Sequence, residues 1–424
     1  MPTCCAIDFG TSNSAIALPR PATVQLVELE TGFTGMPTAV FYAVQDLPER
    51  EPVRSFGRAA LAAYVEGVPG RLMRSMKSIL GSSLADQTTD LGAGHSVRYL
   101  DVIASYLRHL KARAEQAQGR PLEQVVLGRP VFFVDDDPPR DRAAQAALEQ
   151  AARQVGFGHI EFQFEPIAAA LEYEAAVDSE QRVLVADIGG GTSDFSLVRV
   201  GPQRRLRADR RSDILANFGV HVAGTDFDRQ VELQHILPCC GYRGRGPQGR
   251  EVPSKVYFDL ATWHLINTVY RPARRAELHA MKPFYADARQ HARLMTVVDH
   301  RLGHALAAQA EAAKIATTQQ LHHAIDLQAI EPGLQVLLSA QDVIASVEAQ
   351  LARITAAARH TLALAGLDAA QVDAVYFTGG STGLTPLVQR IAALFPQARQ
   401  VHGDRFASVA MGLGRHAQQV FGAG

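Results

Sequence analysis

The chain has 424 residues, is 47% hydrophobic and carries a formal net charge of −1. That length supports two or three globular units with real cores, and the balanced charge gives no global attraction to nucleic acid or an anionic membrane. The start, MPTCCAIDFGTSNS, has no basic leader, no run of eighteen apolar residues occurs, and the cysteines fall in two adjacent pairs, Cys4-Cys5 and Cys239-Cys240, without zinc spacing. These features predict a soluble protein of a reducing, cytoplasmic compartment, with no secretory signal and no spanning helix.

In chain order, Ala6 to Leu18 reads as a buried strand delivering Asp8, a polar turn of Gly10, Thr11, Ser12 and Asn13, and a second strand. Val24 to Phe56 predicts short strands and turns. Arg71 to Ser83 predicts a short helix ended by Gly81 and containing Lys77, the only lysine before Lys111. Such a lysine is either a solvated surface charge or a point charge for a bound phosphate. Asp101 to Gln118 predicts an amphipathic helix with Asp101 as its cap, Val125 to Val134 a strand broken at Arg129-Pro130, and Arg140 to Val155 an Ala-rich helix. After a strand at Ile160 to Phe164, Glu165-Pro166 starts another helix; Glu165 is a helix cap or a carboxylate facing a cleft.

Val183 to Val200, VLVADIGGGTSDFSLVRV, repeats the first device: a strand ending at Asp187, the turn Gly189, Gly190, Gly191 and Thr192, and a second strand carrying Asp194. Glycine-rich turns present several backbone N–H groups on one side, which suits an anion, and an aspartate beside them suits a hydrated cation. Two such loops predict two similar lobes that share one cleft.

Beyond residue 200, Ala223 to Asp228 predicts a turn into a helix with Thr225 as cap. Residues 239–250 form a Gly/Arg loop whose G-x-G-x-x-G lacks a preceding strand and contains Pro247, so it is no dinucleotide fingerprint. Ser254 to Leu321 reads as helical; His300 and His304 have the spacing of one helix face, but Arg301 stands where a zinc protease needs glutamate. Ala305 to Thr318 is a strong helix former with Glu311, Lys314 and Thr318 at successive turns, either an exposed polar face or hydroxyl-binding groups for a ribose. One long helix is predicted from Ser339 to Gly366, then a strand, the turn Gly379, Gly380 and Ser381, a helix capped by Thr385, and a last helix from Ser408 to Val420.

In that order, IDFGTSNS, ADIGGGTSDFS and YFTGGSTGLTPLV resemble the two phosphate loops and the adenosine loop of the actin/hexokinase/seventy-kilodalton heat-shock superfamily. Met76 to Gly81, Glu165 to Ala170 and Ala223 to Asp228 resemble segments of the DnaK-type nucleotide-binding domain, and Arg129-Pro130 suggests a divergent, YegD-like group. The resemblance implies an α/β, two-lobed actin-like ATPase fold of duplicated ribonuclease H-like sheets. Lobe I would take 1–178, lobe II 179–370 with an atypical helical segment at 235–300, and 371–424 would close back on lobe I. No peptide-binding domain is expected.

The resemblance further implies ATP or ADP with Mg²⁺ held through water by Asp8 and Asp187, and K⁺ at Asp8 and Asp194. Thr11, Ser12, Asn13 and Gly189 to Thr192 would cradle phosphates, with Lys77, Glu165, Asp187 and Thr192 catalytic. Glu311, Lys314 and Thr318 would contact ribose and adenine above Gly379, Gly380 and Ser381. Gly383 stands where the family commonly has an arginine on adenine, and Phe406 near a family aspartate, so looser adenine binding is expected. The implied function is slow ATP hydrolysis driving lobe movement in a chaperone-related protein, with an unknown protein partner at 235–300. A filament-forming ATPase, a small-molecule kinase and a non-hydrolysing nucleotide sensor are the alternatives.

Overall fold

Two sheets of the same construction dominate the computed structural model, which describes residues 3–422 apart from 45–51, 83, 86, 93 and 208. From edge to edge the first runs His159–Phe164, Gln124–Arg129, Cys4–Phe9, Asn13–Pro19 and Val24–Leu26, with Gly35–Pro37 also paired to Asn13–Pro19. The second runs Arg399–His402, Ala374–Thr378, Gln181–Ile188, Ser193–Val200 and Ile214–Val220. In each, one central strand pairs antiparallel with the strand that follows it and parallel with a strand that arrives much later. An antiparallel neighbour needs only a tight turn, whereas a parallel one needs a long crossover. The chain places its glycine turns and its helical segments accordingly.

The helices Glu165–Ala175 and Ser408–Phe421 lie between the sheets, in a core joining Ala6 and Val126 of the first to Val183, Val185 and Tyr376 of the second. Their approach is close enough that a β-carbon on Gly412 would sit 1.9 Å from the Ala168 carbonyl oxygen. On the outer faces, Tyr99–Gln118 and Pro138–Gln154 cover the first sheet and Glu348–Leu364 covers the second. Residues 231–343 build a separate core around Tyr257, Leu278, Leu294 and Val297. Among the described residues no helix is long and apolar enough to cross a membrane.

Several local expectations are corrected. Residues 71–82 are not a helix: Gly70–Arg74 is a strand paired with Ala39–Ala43, and only Met76–Ile79 forms a 3₁₀ turn, while Ser83 lies outside the described residues. Strand pairing overrides helix propensity there. Asp101 sits in the first turn of Tyr99–Gln118 and Arg98 takes the cap position; Ala223 precedes Gly224–Val231 in place of Thr225. Thr385 is the first residue of its helix, with Leu384 before it. Glu165 likewise begins a helix and does not cap it. The predicted helix from Ser339 is two, Ala340–Ser346 and Glu348–Leu364, hinged at Val347, although Ser339 and Asp342 do form the capping box. His300 and His304 share no helix, because Arg301 at φ 54° separates Ala288–Asp299 from Gly303–Ala316.

A buried ionic network ties the helix that starts at Glu165 to the second sheet. Arg210 donates to both carboxylate oxygens of Glu174, at 3.0 and 2.8 Å, and also to Asp213, which accepts from Arg204 as well. The remaining need of Glu174 is met by the Gly201 amide at 2.9 Å. Removing one member strands a buried charge, so Glu174→Ala is expected to cost about 3–5 kcal/mol, read as a lowered denaturant midpoint. A Glu174→Ala midpoint equal to wild type would discard this assignment.

Two buried histidines give the fold a pH dependence. His416 faces the Gln163 amide nitrogen at 3.3 Å, and Gln163 uses its oxygen to accept from the Phe164 amide, so Nδ1 of His416 accepts and the ring is neutral. His304 packs between Tyr64 and Trp263, and neither of its ring nitrogens has a hydrogen-bond partner among the described residues. Burial, with a nearby arginine in each case, pushes both imidazoles from 6.5 down to about 4. The unfolded chain therefore binds more protons between those values. The contribution of these two histidines to stability is full above pH 6.5 and falls toward pH 4, by up to about 3 kcal/mol per histidine. His416→Gln should flatten its share of that slope in unfolding midpoints measured from pH 7.5 to 4.5.

Candidate functional site

The two glycine turns face each other across a cleft of about 650 Å³ between the sheets. In the first, a β-carbon on Gly10 would lie 2.2 Å from the Asn13 carbonyl oxygen, so only glycine allows the turn to close. Thr38 then fixes its carbonyls, Oγ1 donating to Gly10 O at 2.8 Å and the amide to Ser12 O at 2.9 Å. In the second, Ser381 Oγ donates to Gly189 O at 2.6 Å, and the Thr225 amide and hydroxyl both donate to Gly190 O at 2.8 Å. With the carbonyls tied back, the amides of Thr11, Ser12, Gly190 and Gly191 have no hydrogen-bond partner among the described residues. Gly191 has open space where a β-carbon would stand, and Ser12 Oγ lies 3.1 Å from that position on Gly190. A cradle of free amides with no side chain in the way suits phosphate oxygens.

Acidic groups crowd the floor. Asp187 and Asp194 are directly opposite in the antiparallel pair, and Asp8 enters from the first sheet. Burial pushes all three carboxyls above the ordinary range, and the neighbouring Glu165 raises each further. Thr192 hydrogen-bonds Asp194 and offsets part of that rise. Lys77 forms a buried ion pair with Glu165. Burial alone would lower its ammonium, but Glu165 and Asp8 outweigh that and hold it raised. The lysine is delivered by the 3₁₀ turn after Ser75, whose φ of 52° is unusual for a side-chain-bearing residue.

Glu311, Lys314 and Thr318 line the same cleft from the helix Gly303–Ala316 and the turn after it. Lys314 Nζ pairs with Asp228 Oδ1 at 2.6 Å, and Thr318 Oγ1 donates to the Ile315 carbonyl at 2.7 Å. Gly379, at φ 88°, packs against Ile188, and a β-carbon there would lie 2.4 Å from its carbonyl. Gly380 and Ser381 continue that wall. Thus every residue selected from the sequence as a site residue lines this one cleft. Sequence reasoning missed Ile315, Gln319, His221 and Arg405, and the Pro130–Phe133 loop. Ile315, Gln319 and Pro130 adjoin residues that the sequence does mark, Lys314, Thr318 and Arg129, but nothing in residue type alone turns these neighbours toward the cleft.

The donor set fits a hydrated Mg²⁺ carried by phosphate. Among the described residues no group of three or more His, Cys, Asp or Glu side chains could hold a metal directly. Mg²⁺ commonly takes one or two carboxylates, keeping water and phosphate oxygens as its other ligands. Asp8 and Asp187 are placed for that arrangement, beside the amide cradle.

Comparison with known proteins agrees with this geometry. A family model described as "Hsp70 protein" matches residues 4–237. Curated relatives named "Chaperone protein HscA homolog" include one from Azotobacter vinelandii, 31% identical over 261 residues, covering 54% of this chain and 40% of the relative. One from Tolumonas auensis is 31% identical over 210 residues, covering 46% and 32%, and one from Vibrio vulnificus 29% over 259 residues, covering 54% and 40%. The chain thus spans well under half the length of these relatives. With more than half of its residues matched by the family model, and with duplicated sheets around a shared cleft, this chain belongs to the Hsp70 family and has its two-lobed, actin-like fold.

Proposed function

We propose that the chain binds Mg-ATP between its two lobes and hydrolyses it slowly, using the resulting lobe movement in a chaperone-related role. The observation that carries this reading is the pair of glycine turns with unpartnered amides set over Asp8, Asp187 and the Lys77–Glu165 pair. The lobes are taken as 1–178 and 179–370, with 371–424 closing back on the first. Lys77 acts as a point charge on the transferring phosphoryl group, a role that preorganised cations serve in such sites. Glu165, Asp187 and Thr192 orient the attacking water; Thr11, Ser12, Asn13 and Gly189 to Gly191 hold the phosphates. Asp8 and Asp187 would hold Mg²⁺ through water, and the ion would supply charge neutralisation to the phosphates; Asp8 with Asp194 would suit K⁺. Glu311, Lys314, Thr318 and Ser381 hold the nucleoside. Residues 235–300, which share the core built by residues 231–343, are the proposed surface for a protein partner.

Lobe movement has a built-in reporter. The chain's single tryptophan, Trp263, belongs to the second lobe and stacks on Tyr64 of the first at 5.0 Å, with Arg74 of the first lobe 4.2 Å above its ring. Asn267 Nδ2 donates to the Tyr64 carbonyl at 3.3 Å beside it. Any change in cleft opening alters this contact, so Mg-ATP is expected to shift Trp263 emission. An emission spectrum unchanged at saturating nucleotide would count against nucleotide-driven movement.

Calorimetry with Mg-ATP tests the reading directly: no binding at millimolar nucleotide would sink it. Lys77→Ala should keep binding and lose about 10²-fold or more in single-turnover hydrolysis, the usual scale for an electrostatic group in such a site. Unchanged turnover would remove Lys77 from the mechanism.

A further inference from the structure

Residues 64–74 of the first lobe meet residues 263–304 of the second around His304. That imidazole is 5% exposed and packs edge-on with Tyr64 at 5.5 Å and with Trp263 at 5.0 Å. Both ring nitrogens are buried, and neither has a hydrogen-bond partner among the described residues. Two guanidiniums share the contact. Arg74 lies 4.2 Å above the Trp263 ring, and Arg301 reaches across to Gly67, where a β-carbon would lie 2.5 Å from Nη1. The flanking phenols are held neutral: burial raises Tyr64, and Tyr270, which accepts from the Gly303 amide at 2.9 Å, is pushed up to about 12. Carboxylates on the surrounding segments are engaged elsewhere or uncharged. Asp259 pairs with Lys255 at 2.7 Å and Asp299 with Arg275 at 2.6 Å, while burial pushes Glu232 toward its neutral form. Glu66 and His264 are exposed. No carboxylate pairs with His304 among the described residues.

We propose that His304 is a pH-sensitive latch between the lobes: its neutral ring closes the upper contact, and its protonation opens that contact before the fold is lost. In the closed contact an imidazolium would have no acceptor and would meet the charge of Arg74, whereas opening gives both N–H groups to water. Burial, with Arg74, holds the closed imidazole down at about 4, against about 6.5 for a solvated one. The open form therefore binds more protons between those values, so closure is favoured above pH 6.5 and weakens as pH falls. Opening becomes about thirtyfold more favourable at pH 5 than at pH 7.5. His304 does not line the nucleotide cleft, so the latch acts on lobe separation alone. Its effect on nucleotide release rests on the nucleotide reading above.

Hydrogen exchange of the nucleotide-free chain, corrected for the intrinsic pH dependence of amide exchange, tests the latch. Protection of residues 60–67 and 261–268 is expected to fall about thirtyfold from pH 7.5 to 5. The strand Gln181–Ile188 should stay better protected than either segment at both pH values, which marks the opening as local. His304→Phe keeps a ring that cannot be protonated and should limit the fall to about twofold. His304→Leu repeats the test with a smaller side chain. Unchanged protection in wild type would overturn the latch. So would an equal fall in both variants, since another group would then carry the response, or protection of Gln181–Ile188 no better than that of the two segments. Mg-ADP release gives a second reading: wild type should release faster at pH 5, and His304→Phe should lose most of that acceleration. Equal acceleration in the variant would remove the latch from nucleotide release. Failure of wild type to bind Mg-ADP would overturn the nucleotide reading alone, because the exchange measurement needs no nucleotide.

Discussion

Negative charge confined in the cleft is the constraint around which this structure is arranged. Asp8, Asp187, Asp194 and Glu165 converge where little water can screen them, and one ammonium, that of Lys77, stands among them. Burying carboxylates without a counter-charge is costly, and the raised protonation affinity of Asp8, Asp187 and Asp194 expresses that cost. A divalent cation would relieve it, with phosphate oxygens and water among its other ligands. The acidic floor and the amide cradle are therefore complementary halves of one site, and neither is chemically complete alone.

The duplicated sheets explain how a chain can build such a floor. Asp8 and Asp187 occupy equivalent places, each near the end of a central strand that turns through glycine into its antiparallel neighbour. Two sheets facing each other bring two such strand ends together. The helices Glu165–Ala175 and Ser408–Phe421, packed between them, set the spacing. The Glu174–Arg210 pair then ties the helix carrying Glu165 to the second sheet. The floor of the cleft and the core are thus coupled through a single helix, with Glu165 at one end and Glu174 near the other.

The upper contact between the lobes differs in kind. Tyr64, Trp263, His304 and Arg74 meet through ring faces and one cation, with few directional bonds. Such a contact slides or separates at low cost compared with the buried ionic network below. A bonded floor with a less directional upper contact would suit the hinge motion proposed above.

The amino-acid sequence by itself determined the two hairpins, the strand–glycine–helix unit at Ala374 and the two-lobed α/β class. Each depends on short-range patterning: apolar runs of strand length, glycines where the backbone must turn tightly, aspartate at the strand end. Other features were decided by tertiary structure. Residues 70–74 became a strand because Ala39–Ala43 offered a partner, and that placed Lys77 on a turn aimed at Glu165. His304, legible only as half of a spaced histidine pair, became a buried ring between aromatics of two lobes because Arg301 breaks the helix before it. Arg405 carried no signal of its own, since the room it occupies is left by Gly383, more than twenty residues earlier. Local chemistry is written along the chain; which side chains meet across a cleft depends on contacts between distant segments, and only the packed structure supplies those.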